Sequence, residues 1–229
     1  MTTHAQAPAR SARSTGWVPF ALLALVLVPA VTGTMRLVEV FGGPHLMPAN
    51  PRLTVSPLPV IVHITCGLSY AVLGAFQFSA ALRRRWPLWH RRAGRVLVVL
   101  GLAVAFSGLF MTQFYARQPG TGPLSHAFRL IFGSALAACL VLGVTAIRRR
   151  DVSAHQAWMT RAYALALAAG TQVFTLGIGA AVFGVCERQY DLLLGSAWGI
   201  NLTVAELVIR RSRRRPGRRL GRARSTVLT

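Results

Sequence analysis

Apolar residues occur in six long runs along the chain, separated by short polar segments. The runs cover residues 17–35, 58–82, 93–115, 124–147, 156–183 and 192–209. Apolar stretches of about 18 residues or more are typical of helices that cross a bilayer. The pattern therefore predicts an all-α, polytopic membrane protein with six transmembrane helices.

The six runs fill most of the chain, so no soluble domain is expected. We predict one integral membrane domain over residues 17–209. A polar, disordered N-terminal segment over residues 1–16 precedes it, and an arginine-rich tail over residues 210–229 follows it. Short turns join antiparallel neighbours, so spans two to five predict a central up-down four-helix bundle. Spans one and six are expected at its periphery.

The distribution of charge predicts the orientation of the spans. All 26 basic residues are arginine, only five residues are acidic, and the formal net charge is +21. Twenty-one arginines lie on one side of the predicted membrane, against four in the loops of the other side. The arginine-rich side contains Arg10, Arg13, Arg83, Arg84, Arg85, Arg91, Arg92, Arg95, Arg148, Arg149, Arg150, Arg161 and nine arginines of the tail. Because cytoplasmic loops carry the excess of arginine, both termini are predicted to be cytoplasmic.

The arginine-rich tail also bears on the partners of the protein. A chain this basic suggests nucleic acid when it is soluble. Here the tail has no interleaved aromatic residues and directly follows a membrane span. Basic clusters in that position bind anionic lipid headgroups. We therefore expect contact with the lipid bilayer and its headgroups at the inner face, and not with nucleic acid.

Four of the six histidines occur at matching places in the hydrophobic pattern. His63 and His126 lie just inside the starts of the second and fourth runs, whereas His90 and His155 lie just before the third and fifth. If the helices alternate in direction, His63 pairs with His126 near the outer membrane face and His90 pairs with His155 near the inner face. Ionisable groups in membrane helices are rare and indicate a functional site.

These pairs predict a haem protein. Haem iron accepts imidazole ligands, and a membrane bundle can supply two of them from diagonal helices. The histidines therefore predict one or two haem b groups and electron transfer across or within the membrane, with a quinol or another small reductant as donor. The rise of an α-helix separates the two histidine levels by roughly 24 to 30 Å. Because this distance is long for fast transfer between two haems, a single haem is also consistent.

Each histidine lies on a helix face of small residues, since residues three, four or seven apart share a face. Gly67, Gly94, Gly101 and Gly133 belong to these faces and are candidate haem-contacting residues. Small residues allow membrane helices to pack closely. They also leave room for a flat macrocycle, and the sequence leaves both explanations open.

Other polar residues lie inside the predicted spans. Arg129 follows His126 by three residues and needs an anionic partner or a route to the headgroups. A haem propionate or an anionic substrate would satisfy it. Gln172 and Asn201 are expected to form hydrogen bonds between helices, and Glu206 to pair with an arginine.

The alternative function is non-catalytic. In that case the protein has an assembly, binding or transport role, and its histidines serve packing and lipid contact. A transporter would typically contain broken helices or internal repeats, and the sequence makes neither evident. A hydrolase would need a nucleophile, a base and an orienting group, and the five acidic residues form no such motif.

Several segments resemble an uncharacterised family of bacterial membrane proteins known only as a domain of unknown function. The likeness covers roughly residues 59–209 and includes the patterns HRxxGR and HxxWMxRxYAL. The matching segments begin at His63, Gly74, His90, His155 and Asn201. The resemblance implies about six helices in the bacterial inner membrane and no established activity. The arrangement is also similar, in layout alone, to the ascorbate-type two-haem transmembrane cytochromes b, whose central four helices carry paired histidines.

Overall fold

The computed structural model describes residues 15–48, 56–184 and 186–225, and every regular element in these ranges is helical. A short 3₁₀ turn at Thr15–Trp17 leads into the first helix. Eight α-helices follow within the described ranges. They are α1 (Val18–Val40), α2 (Leu58–Gln77), α3 (Ala80–Arg85), α4 (Pro87–Phe114), α5 (Pro123–Arg148), α6 (Val152–Ala166), α7 (Ala168–Phe183) and α8 (Glu187–Ser225).

The helices have the length and composition of membrane spans. Five of them are long and apolar enough to cross a membrane, and α6 and α7 together meet the same criteria as one bent span, which gives up to six. Large apolar side chains remain exposed on their outer faces, such as Val99 and Phe106 of α4 at 67% and 60% exposure. Apolar surface of this kind is expected to face lipid. The prediction of an all-α, polytopic membrane protein is confirmed.

The central bundle has the predicted order. Helix α2 packs against α4, α4 against α5, α5 against α6, and α6 returns to α2, which closes a ring of four. Helices α4 and α6 are diagonal partners, as are α2 and α5. Helix α1 lies outside the ring against α2 and α7, and α8 lies outside it against α5, α6 and α7. The main core lies inside the ring, where Tyr70, Ala75, Leu140 and Ala162 are buried.

Span five differs from its prediction as one continuous helix over residues 156–183. It is bent by 44° at Leu167, between α6 and α7. A bend in a membrane helix frees backbone groups that a neighbouring helix must satisfy. Asn201 of α8 does so: its side-chain NH₂ donates to the Ala164 carbonyl (3.0 Å), and its oxygen accepts from the Thr171 hydroxyl (2.8 Å). One side chain of span six thus holds both halves of span five.

A close contact positions the second half of span five. A Cβ atom at Gly170 would collide with the backbone carbonyl of Leu25 in α1. Glycine therefore allows α7 to approach the backbone of α1 closely. As a result, α7 leaves the four-helix ring that α6 completes and packs against α1 and α8.

The bounds of two predicted spans also differ. Helix α2 ends at Gln77, and the last three residues of predicted span two begin α3, whose N-terminus is capped by Ser79. Helix α8 begins before predicted span six and continues to Ser225, so most of the predicted tail extends the helix. The predicted disordered segment over residues 1–16 lies almost entirely outside the described residues, of which it includes only the start of the 3₁₀ turn.

Candidate functional site

The pair His90 and His155 lies at the arginine-rich end of the bundle. His90 is in the first turn of α4 and His155 in the first turn of α6, so the two come from diagonal helices. They are close enough for charge on one ring to affect the other. This electrostatic interaction between the two rings is the observation that supports the predicted pair.

The ring nitrogens of this pair have different environments. His155 Nδ1 lies 2.9 Å from the carbonyl oxygen of Gly143 in α5, so Nδ1 carries the hydrogen and donates it. His90 Nδ1 is buried and has no hydrogen-bond partner among the described residues. A buried polar nitrogen without a partner is uncommon in native proteins and needs an explanation.

Space and charge around the pair have two notable features. A Cβ atom at Gly94, one helical turn after His90, would meet no atom within 4 Å. Arg83 and Arg91 are close enough to His90 for their charges to affect it. The surroundings of His90 are therefore open at Gly94 and electropositive.

The second predicted pair is arranged differently. His63 Nδ1 lies 3.1 Å from the Val104 carbonyl and 3.1 Å from the Ser107 hydroxyl oxygen, both in α4. The Ser107 hydroxyl itself donates to a backbone carbonyl, so its oxygen is available as an acceptor. His126 is half-buried on α5. His63 lines the cavity described below, whereas His126 is absent from its lining.

The candidate glycines differ in the space that they leave. Side chains of Tyr70 and Leu140 fill the space at Gly101, so this glycine accommodates helix packing. Leu109 lies about as close to Gly133, at 3.0 Å from a Cβ built there, and Gly67 is in ordinary contact with Val104. Of the candidate glycines, only Gly94 has open space beside it.

A cavity of about 300 Å³ lies beside the bend in span five, between the four-helix ring and α8. Its wall is mainly apolar but includes four side chains with polar groups, those of His63, Thr112, Arg129 and Gln172. Gln172 also donates to the Leu194 carbonyl of α8 (3.4 Å), as predicted for a membrane-embedded amide. Residues on both sides of the bend line this space.

Arg129 faces this cavity from α5. No carboxylate among the described residues lies within the 4 Å range of an ion pair with its guanidinium. Asp191 is close enough to interact electrostatically with the Arg129 guanidinium. However, the buried Asp191 carboxylate accepts hydrogen bonds from the backbone N–H groups of Gly122 (3.0 Å) and Leu124 (3.1 Å) and from the Ser125 hydroxyl.

Sequence reasoning missed this role of Asp191. The carboxylate caps the N-terminus of α5 from the start of α8, where backbone N–H groups have no helical partner. The only signal in the sequence is an acidic residue next to a membrane span, which does not indicate a partner more than sixty residues away. The contact ties span six to span four at the arginine-poor end.

The HxxWMxRxYAL segment is connected to span six and span two. The Arg161 guanidinium forms two hydrogen bonds with the Glu206 carboxylate (2.5 and 3.1 Å) and lies over the ring of Trp158. This confirms an arginine partner for Glu206. The Tyr163 hydroxyl donates to the Ala71 carbonyl (2.6 Å), and its ring occupies the space that a Cβ at Gly74 would need. These motif residues hold the helices together around the candidate sites.

The described residues contain no group of three or more histidine, cysteine, aspartate or glutamate side chains able to hold a metal ion. A zinc site of the usual kind needs at least three such ligands. A haem would take at most two ligands from the protein, so a pair of histidines falls outside this criterion.

Residues 60–209 match the family described as "Predicted membrane protein (DUF2306)". The chain belongs to this family. The DUF2306 segment extends from α2 into α8 and includes the histidine pair, the bend in span five and the cavity. The predicted resemblance to a membrane-protein family of unknown function is confirmed. No curated protein and no solved structure matches the chain.

Proposed function

We propose that this membrane protein binds one haem b between His90 and His155 and transfers electrons through it. The observation that carries the proposal is the hydrogen bonding of the ring nitrogens of the two histidines. The contact between His155 Nδ1 and the Gly143 carbonyl leaves Nε2 with a lone pair, which is the usual arrangement for an iron-ligating histidine. His90 differs from His155, because its buried Nδ1 is the atom without a hydrogen-bond partner; a bound group would explain this atom only if Nδ1 itself were the ligand.

Two features of the surroundings fit the same group. The open space at Gly94 lies one turn from His90, where a macrocycle would approach the backbone of α4. Arg83 and Arg91 supply positive charge that suits haem propionates, since arginine binds carboxylates through paired hydrogen bonds. Haem b, when bound, supplies reversible one-electron chemistry at its iron. The chain's own contribution is to fix the His155 ring through the Gly143 carbonyl.

A second haem at His63 and His126 remains a prediction. His63 lines the cavity and His126 does not, so no comparable observation favours this pair. The electron donor is proposed to be a quinol or another small reductant, as the sequence suggested.

The test is a visible spectrum of the detergent-purified protein, oxidised by air and then reduced by dithionite, from cells supplied with a haem precursor. We expect a Soret band, and α and β bands that sharpen on reduction. His90→Ala and His155→Ala should each remove most of the absorbance. His45→Ala is the matched control, because His45 is exposed outside the helices.

Several outcomes would overturn the assignment. Loss of absorbance in His63→Ala and His126→Ala, with His90→Ala unchanged, would move the haem to the other pair. A folded, helical protein without visible absorbance would reject haem binding. It would favour the non-catalytic alternative, in which His155 and His63 use their hydrogen bonds to connect neighbouring helices.

We also propose that the arginine-rich end faces the cytoplasm across a bacterial inner membrane, with anionic lipid headgroups around it. The excess of arginine at that end supports this orientation. Fusion of alkaline phosphatase or green fluorescent protein to the C-terminus tests it. We expect fluorescence without phosphatase activity, and the reverse result would reject a cytoplasmic C-terminus.

A further inference from the structure

We propose that the cavity beside the bend in span five binds a small organic carboxylate with an apolar body. The carboxylate would pair with the Arg129 guanidinium, and the apolar body would contact the wall formed by the bundle and α8. The inference does not rest on haem binding, because it uses a different part of the bundle.

The charge of Arg129 is the first step of the argument. An arginine within a membrane helix is costly unless an anion or water compensates its charge. No described carboxylate pairs with it, and the nearby Asp191 oxygens are engaged by the N-terminus of α5. The Arg129 side chain is part of the cavity wall. An anionic ligand in the cavity would therefore supply the missing partner.

The wall of the cavity defines the rest of the ligand. Phe132, Leu136, Leu165 and Trp198 are among the apolar residues that line it. Ligand sites typically combine a mainly apolar lining with a few polar groups that fix orientation. The volume of about 300 Å³ is at the lower end of such sites and suits a single ring or a short chain. The combination of one cation with apolar walls favours an amphipathic monoanion over an inorganic ion.

The cavity is separate from the histidine pair. Along α6, His155 and Leu165 are ten residues apart, and along α4, His90 and Val104 are fourteen apart; Leu165 and Val104 both line the cavity. The rise of an α-helix converts these separations to roughly 15 and 21 Å. A failure of haem binding would therefore leave this proposal intact, and the reverse also holds.

The experiment is equilibrium dialysis of the full-length protein in detergent micelles against radiolabelled benzoate, with protein-free micelles as the background. We expect saturable binding that unlabelled benzoate displaces and that benzyl alcohol, a neutral analogue, displaces far less well. Arg129→Gln should weaken binding about tenfold or more, because a charge-assisted hydrogen bond is lost. Arg129→Lys should retain part of the affinity. Arg117→Gln, an exposed arginine at the same end, should leave binding unchanged.

A second variant keeps the proposal testable if Arg129→Gln does not fold. Ala169→Phe introduces a large side chain into the wall while Arg129 is kept, and we expect it to abolish binding. Unlabelled decanoate is the second competitor. Stronger displacement by decanoate than by unlabelled benzoate would indicate a carboxylate from the bilayer, and weaker displacement would indicate one from water. No saturable binding, equal displacement by benzyl alcohol, or unchanged binding in Arg129→Gln with normal helicity would overturn the proposal.

Discussion

Asn201 provides the sharpest test of the bend in span five. The substitution Asn201→Leu removes a hydrogen bond to the Ala164 carbonyl and another from the Thr171 hydroxyl. Polar contacts between membrane helices contribute about 0.6 kcal/mol on average and up to about 1.7 kcal/mol each. Two of them give an expected loss of about 1 to 3 kcal/mol in the free energy of unfolding. Asn201 is a half-buried residue of α8 that faces α6 and α7, and leucine has a similar size without the polar atoms.

The measurement is unfolding of the purified protein by sodium dodecyl sulfate in mixed micelles, followed by helical circular dichroism. Thr171→Val removes only the second hydrogen bond and should cost about half as much as Asn201→Leu. The double variant should cost no more than Asn201→Leu alone, since the Thr171 hydroxyl has already lost this partner. Thr203→Val is the control, because that exposed hydroxyl bonds to the Gly199 carbonyl of its own helix.

Two results would refute this account of the bend. If Asn201→Leu destabilises the protein no more than Thr203→Val, the amide does not hold the two halves of span five. If the losses of Asn201→Leu and Thr171→Val add fully in the double variant, the two side chains act independently, contrary to their 2.8 Å contact.

Three further substitutions test other contacts by the same unfolding measurement. Gly170→Ala should lower the free energy of unfolding by about 1 to 3 kcal/mol, because its Cβ would collide with a backbone carbonyl of α1. Gly177→Ala on the same helix is the control, since its Cβ would meet no atom within 4 Å, and equal losses of stability would reject the close approach of α7 to α1. Asp191→Ala should lower the free energy of unfolding by about 1 to 3 kcal/mol, since it leaves the N-terminus of α5 uncapped. Glu187→Gln, at the exposed start of α8, should have little effect, and an equally large loss of stability in this control would contradict the cap. Glu206→Gln should cost about 1 kcal/mol, because the ion pair with its arginine is partly exposed, and an unchanged midpoint would show that the pair is not needed.

The spans and their order in the bundle could be predicted from the sequence, because both depend on local properties. Long apolar runs give the spans, and short turns make consecutive spans antiparallel neighbours. The diagonal placement of α4 and α6 follows from that order. The nearness of His90 and His155 followed in turn, since each lies just before its apolar run at the same end of the bundle.

The bend and the cavity could not be predicted in the same way. The residues around Leu167 are mostly alanine and leucine, which favour an uninterrupted helix. At the bend, the Ala164 carbonyl instead accepts a hydrogen bond from Asn201, more than thirty residues later, and Gly170 lies against the backbone of α1. The cavity is lined by residues on both sides of the bend, so the grouping of Arg129 and Gln172 in one wall was also beyond the sequence.

The two halves of span five have different sets of neighbours. Helix α6 is part of the ring that carries the histidine pair, while α7 packs with α1 and α8. Residues on both sides of Leu167 line the cavity, so its wall draws on both sets of neighbours. The shape of the cavity therefore depends on how α7 packs against α1 and α8, whereas His90 and His155 lie on helices of the ring.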